Sequence, residues 1–157
     1  MNMVLESGIK VVHKTHGVGE IEGTEVLKLG GQSQDYYILK ILATGLKVRF
    51  PKQASNDIVR SLVDELEIAE ILDIISSPAK SYSMVWNRRK KEFTEKINSG
   101  SIFDIAEVYR DLYNKDDGKE LSFGEKEMLE KAKLRLVSEI AAARSVSEQE
   151  IEQLLEA

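Results

Sequence analysis

Leu46 to Ile75 reads LKVRFPKQASNDIVRSLVDELEIAEILDII, and its hydrophobic period changes part-way along. Leu46, Val48 and Phe50 alternate with Lys47 and Arg49, the two-residue repeat of a half-buried strand. Pro51 supplies no N–H and stops that strand. Residues 63 to 75 carry apolar Leu66, Ile68, Ile71, Leu72 and Ile75 at helical spacing, with acids between them. The switch from one period to the other predicts a β half followed by an α half.

Upstream, Gly17-Val18-Gly19-Glu20-Ile21-Glu22-Gly23 alternates, with glycines marking turns or close backbone approach. Tyr36-Tyr37-Ile38-Leu39-Lys40-Ile41-Leu42 is rich in strand formers. The polar stretch 29–35 is expected to be a hairpin loop, and Ala43-Thr44-Gly45 the next turn. So many short strands in so few residues predict a small twisted barrel or half-barrel. Downstream, Ser76-Ser77-Pro78 ends the first helix and reads as the hinge between the halves. A basic helix is expected from about Ser83 to Asn98, closed by Ser99-Gly100. Ser101-Ile102-Phe103-Asp104, Ser122-Phe123-Gly124-Glu125 and Ser147-Glu148-Gln149-Glu150 are capping patterns for three more helices. The second of these is the longest, running to about Ala143, with Met128, Leu129, Ala132, Leu136, Val137 and Ile140 facing inward. The whole is α+β with two domains: residues 1–60 a small antiparallel β half-barrel, residues 61–157 a compact bundle of about five helices.

The chain is 157 residues long, 42% hydrophobic and 31% charged, a globular balance. It has no cysteine, which excludes disulfides and thiolate metal sites and fits a reducing cytoplasm. No secretory leader and no membrane-length apolar run is readable. The net charge of −5 hides a pattern. Residues 61–79 hold five acids and no cation, and residues 97–157 hold fourteen acids against eight cations. Residues 80–96 hold six cations against two acids, the one block attractive to a polyanion.

That block contains the single tryptophan, in Val85-Trp86-Asn87-Arg88-Arg89-Lys90-Lys91. Trp86 reads either as a core anchor, sharing a helical face with Phe93 seven residues on, or as a wedge pushed between bases from the minor groove. Four adjacent cations repel one another unless a polyanion or solvent screens them, which favours a nucleic-acid neighbour. The strand 46–50 has a similar pair of readings. It is a half-buried strand with a solvated cationic face, or an edge that another protein's sheet joins, with Arg49 reaching a partner carboxylate. His13 and His16 straddle a turn without a third ligand, so no metal is expected. Gly17-x-Gly19 lacks the rest of a phosphate loop. No nucleophile–base pair is visible, so nothing argues for an enzyme and no cofactor is called for.

Taken together, His16-Gly17-Val18-Gly19, Tyr37–Lys40 and Gly45–Pro51 resemble the RNA-polymerase-interacting domain of the CarD/CdnL family of bacterial transcription regulators. Trp86–Arg89, Ala106–Leu112 and, most specifically, Leu121–Leu129 resemble that family's helical domain. Transcription-repair coupling factors carry a module similar to the first half, but this chain has no P-loop and no room for motor domains. The resemblance implies a Tudor-like β domain that docks on the RNA polymerase β subunit by strand pairing. It also implies a helical domain that holds promoter DNA at the upstream edge of the transcription bubble and stabilises the open complex, with Trp86 as the wedge, typically at ribosomal RNA and other housekeeping promoters. Carried over by position, Arg49 is the polymerase-facing cation, with Lys47, Val48 and Pro51 in the same docking segment; Arg88, Arg89 and Lys91 are the DNA-facing cations beside Trp86, with Lys90 in the same run and Met84 as a second apolar DNA contact. A polymerase-facing arginine of the preceding strand falls near Leu27 or Lys28 here, and Lys28 can supply only a point charge. The expected partners are the polymerase β subunit and promoter DNA, the latter bound weakly and without sequence preference by the free protein, which is expected to be a monomer. A polymerase-docked adaptor whose helical domain binds a basic protein, suggested by the acidic blocks, and a small enzyme using the two histidines are the competing readings.

Overall fold

The computed structural model describes residues 4–78, 86–113 and 121–156. The chain divides into two units, Met1–Leu62 and Val63–Ala157. The boundary is therefore Leu62–Val63, and not Ser76–Pro78. The helix that was expected to precede the hinge belongs to the helical unit, because Ile68 and Ile71 are buried in that unit's core.

The first unit is a five-stranded antiparallel sheet: β1 (Lys10–His13), β2 (Gly17–Leu29), β3 (Gln32–Ile41), β4 (Lys47–Pro51) and β5 (Val59–Arg60). The spatial order is β4-β3-β2-β1-β5, so β4 and β5 are edges. A 3-10 turn (Lys52–Ala54) and α1 (Ser55–Ile58) lie between β4 and β5. The hairpin joining β2 and β3 is tighter than expected. Leu29 pairs with Gln32, leaving only Gly30 and Gly31 in the turn, with φ of 59° and 81°. Positive φ at both central residues suits a two-residue turn that follows the strand twist, so the polar residues 32–35 extend β3 instead of looping. Gly19 marks a close approach: a Cβ there would lie 2.7 Å from Leu39. Inward-facing Ile21, Tyr37, Leu39, Ile41 and Phe50 form the core with Leu5, Val11 and Val59. Leu46 is not part of it; it is half exposed, just before β4.

The second unit is α2 (Glu65–Ser76), α3 (Trp86–Asn98), α4 (Ile102–Tyr113), α5 (Phe123–Arg144) and α6 (Glu148–Glu156). Ser122 and Glu125 form the expected capping box on α5, and Asp64 with Glu67 forms one on α2 that the sequence reading passed over. The Ser147 hydroxyl accepts from Glu150 N at 3.2 Å and caps α6. Eight of the twelve residues of α4 are buried, which makes it the central helix. Around it pack Ile71, Phe93, Ile97, Leu136, Ile140 and Ile151. The buried Glu139 carboxylate accepts from Val63 N at 3.0 Å, pinning the start of the unit to α5. Among the described residues no helix is long and apolar enough to cross a membrane.

Candidate polymerase and nucleic-acid interfaces

In the first unit the candidate residues lie on β4. Register pairs Val48 with Leu39 and Phe50 with Tyr37, facing the core. Lys47, Arg49 and Pro51 therefore share the outer face with Lys40, Ile38 and Tyr36 of β3. As the end of the sheet, β4 keeps one backbone edge that pairs with no strand among the described residues. The two cations are exposed but engaged. Arg49 Nε donates to Glu25 Oε2 at 2.6 Å, and Lys47 Nζ lies 3.5 Å from Glu22 Oε2. Lys28 does not join them. It pairs with Ser33, one step beyond Leu27 and Gln34, and strand alternation puts Leu27 on the outer face and Lys28 on the other.

In the second unit the candidates lie on α3, in its first described residues. Met84 and the side chain of Trp86 lie outside the described residues, so both readings of Trp86 turn on a group that is not described. Arg88, Lys90 and Lys91 are exposed. Arg89 is not: it falls four residues before Phe93 and eight before Ile97, both buried, and is itself partly buried with Nε shielded from solvent. The +4 block thus offers three open cations there instead of four.

Between α3 and the first turns of α5 lies an open cleft of about 830 Å³, lined by Lys90, Ile97, Phe123, Lys126, Lys131 and Leu134 among others. Phe123 is 78% exposed. The sequence reading used its neighbours only as a cap. The available signal was that residues three and four beyond it, Lys126 and Glu127, are charged, so Phe123 stands off the apolar stripe of its own helix.

The first turns of the helices differ. Every other described α-helix has at least one carboxylate in its first turn: Asp57, Glu65, Asp104, Glu125 and Glu148. α3 has none, and its first four residues include Arg88 and Arg89.

The two histidines serve the turn, and a buried ion pair serves the helical core. His13 Nδ1 accepts from Thr15 N and His16 N at 3.1 and 3.2 Å, closing the turn between β1 and β2. Among the described residues no group of three or more metal-ligand side chains gathers. The buried Arg110 and Asp111 bond each other at 2.9 Å, and Arg110 also donates to Ser77 Oγ at 3.0 Å, fastening α4 to the end of α2.

Comparison with known proteins accounts for nearly the whole chain. Residues 5–63 match the family model of the CarD-like/TRCF RID domain, and residues 70–156 match that of the CarD C-terminal domain. The chain belongs to the CarD/CdnL family. It is 30% identical over 151 residues to YdeB of Bacillus subtilis (strain 168), a protein named as a candidate transcription factor, covering 94% of this chain and 97% of that one. The solved structure of CdnLNt from Myxoccoccus xanthus is 32% identical and covers 41% of this chain and 93% of that one, with a TM-score of 0.35. Family membership makes this a transcription-associated regulator that binds RNA polymerase. The split between the two family models falls where the fold divides.

Proposed function

We propose that the protein docks through the β4 edge on the β subunit of bacterial RNA polymerase and stabilises the promoter open complex through the helical unit. Lys47, Arg49 and Pro51 form the outward docking face, with Val48 anchoring the strand to the core behind it. Arg88, Lys90 and Lys91 hold backbone phosphates at the upstream edge of the bubble, and Trp86 enters the minor groove beside Met84. Arg89 contributes by seating α3 against its core. Phe123, with Lys126 and Lys131, extends the same apolar and basic surface.

The observation that carries this reading is the group of exposed cations Arg88, Lys90 and Lys91 on α3, none of which has an ion-pair partner among the described residues. Cations grouped on one open helix surface are neutralised by an anion, and a phosphate backbone supplies it. The acidic total is no obstacle. A few phosphate contacts give weak, salt-sensitive binding to free DNA, and tethering on polymerase raises the effective concentration of that DNA.

A competing reading takes the exposed Phe123 and half-exposed Leu134 as the seat of a protein partner. The deciding experiment is the lifetime of a polymerase open complex on a ribosomal promoter under competitor challenge. Wild type lengthens the lifetime on the first reading, and Trp86→Ala abolishes the gain while polymerase binding persists. An unchanged lifetime with polymerase bound rejects that reading in favour of the protein partner.

A further inference from the structure

We infer that Glu22 and Glu25 are specificity-determining residues of the β4 edge. They hold Lys47 and Arg49 as ion pairs, so that the edge accepts a pairing protein strand and rejects nucleic acid. The inference deepens the docking role of β4 and rests on it.

The arrangement depends on a bulge. Glu22 and Glu25 are three residues apart and would face opposite sides of a regular strand. The register runs Ile21↔Leu39 and then Gly23↔Ile38, with a shift between them that leaves Glu22 as the extra residue. Continued without the shift, it would set Glu25 opposite Asp35, on the core side and against a like charge. With the shift, Glu25 pairs with Tyr36 on the outer face, next to Ile38, whose other neighbour is Arg49. One inserted residue thus places two carboxylates over two cations that lie two strands away.

Charge explains what the pairs prevent. Residues 1–60 hold eight cations against six acids, a net positive unit with Lys47 and Arg49 on one exposed strand face. Unpaired, such cations bind phosphate backbones by releasing condensed counter-ions. Paired, they bring little charge to neutralise, and an incoming phosphate meets Glu25 beside Arg49. A protein strand takes its affinity from backbone hydrogen bonds, which the free edge of β4 offers whatever the side-chain charge. Among the described residues only Nε of Arg49 is engaged, so its two terminal nitrogens stay open to a carboxylate of that strand. The protein thereby keeps its nucleic-acid contacts on the helical unit.

The test is the binding of a short fluorescent duplex to the full chain across a salt series, with folding checked by circular dichroism. Glu22→Gln/Glu25→Gln is expected to bind several-fold tighter at low salt, with a salt slope steeper by roughly two. Adding Lys47→Gln/Arg49→Gln is expected to restore the wild-type slope. Glu6→Gln/Asp35→Asn, which raises net charge equally at exposed sites away from the pairs, is expected to leave it unchanged. An unchanged slope in Glu22→Gln/Glu25→Gln, or an equal change in the control, overturns the inference. Binding to polymerase is read separately: Lys47→Gln/Arg49→Gln that keeps full polymerase affinity overturns the docking role itself, whatever the duplex shows.

Discussion

The outer face of β4 and the first turns of α3 are both cationic in sequence, yet the fold treats them in opposite ways. On β4 each cation meets a carboxylate from β2, so the surface is close to neutral. On α3 the three cations Arg88, Lys90 and Lys91 stand open, with no acid among the first described residues of the helix. A cluster of positive residues therefore does not by itself name a partner. Pairing decides whether it suits a protein strand or a polyanion, because only uncompensated cations gain from releasing counter-ions.

The comparison can be broken most severely from behind. Phe50 is the buried core side chain of β4 and packs its ring 5.6 Å from Tyr37. Phe50→Ala is expected to cost about 3–5 kcal/mol in urea unfolding and to abolish polymerase binding along with the strand. If the variant keeps its stability, the core described for this unit is wrong.

On the other side, Arg88→Ala/Lys90→Ala/Lys91→Ala is expected to lower the salt slope of duplex binding by roughly three while polymerase affinity is unchanged. An equal loss on both partners would erase the division of labour between the two surfaces. Arg49→Gln should do the reverse, weakening polymerase binding by about 1.5–3 kcal/mol and sparing the duplex, as read by biolayer interferometry.

The smallest effect lies in the core that holds α3. The Tyr109 hydroxyl is buried without a hydrogen-bond partner among the described residues, and burial pushes its pKa up to about 12, with Tyr113, Glu156 and Glu130 adding to the rise. The folded state keeps the proton that the unfolded chain releases near pH 10, so this group's contribution is full below pH 10 and is lost as pH rises toward 12. Tyr109→Phe is expected to flatten that part of the stability–pH curve. At neutral pH it should change stability by no more than about 1 kcal/mol, since no hydrogen bond is lost.

Much of this was legible beforehand because it is local. Alternation in 46–50, helical spacing in 63–75 and the Ser122–Glu125 box depend on residues within a turn or two of each other, and each element formed. The shortfalls have a common origin. The hairpin loop was overestimated because polar residues 32–35 look like a loop until Gly30-Gly31 is seen to close the turn alone. The hinge was placed at a real helix end, but Ile68 and Ile71 attach that helix to the later core. Arg89 read as one more cation until Phe93 and Ile97 set the buried side of α3. Lys28 lies on the opposite strand face from Lys47 and Arg49, a difference of one residue, and Phe123 is an exposed side chain within the capping box.

By itself, then, the amino-acid sequence determined where β gives way to α, which residues cap the helices, where positive charge collects and which family the motifs resemble. All of these follow from spacing along the chain, since periodicity and capping act over a few residues. Only the tertiary structure decided which cations are neutralised. The Glu25–Arg49 and Glu22–Lys47 pairs join residues 24 and 25 positions apart through a register that one bulge resets. Coulomb energy follows distance in space, and a strand shifted by one residue carries its charges to the opposite face.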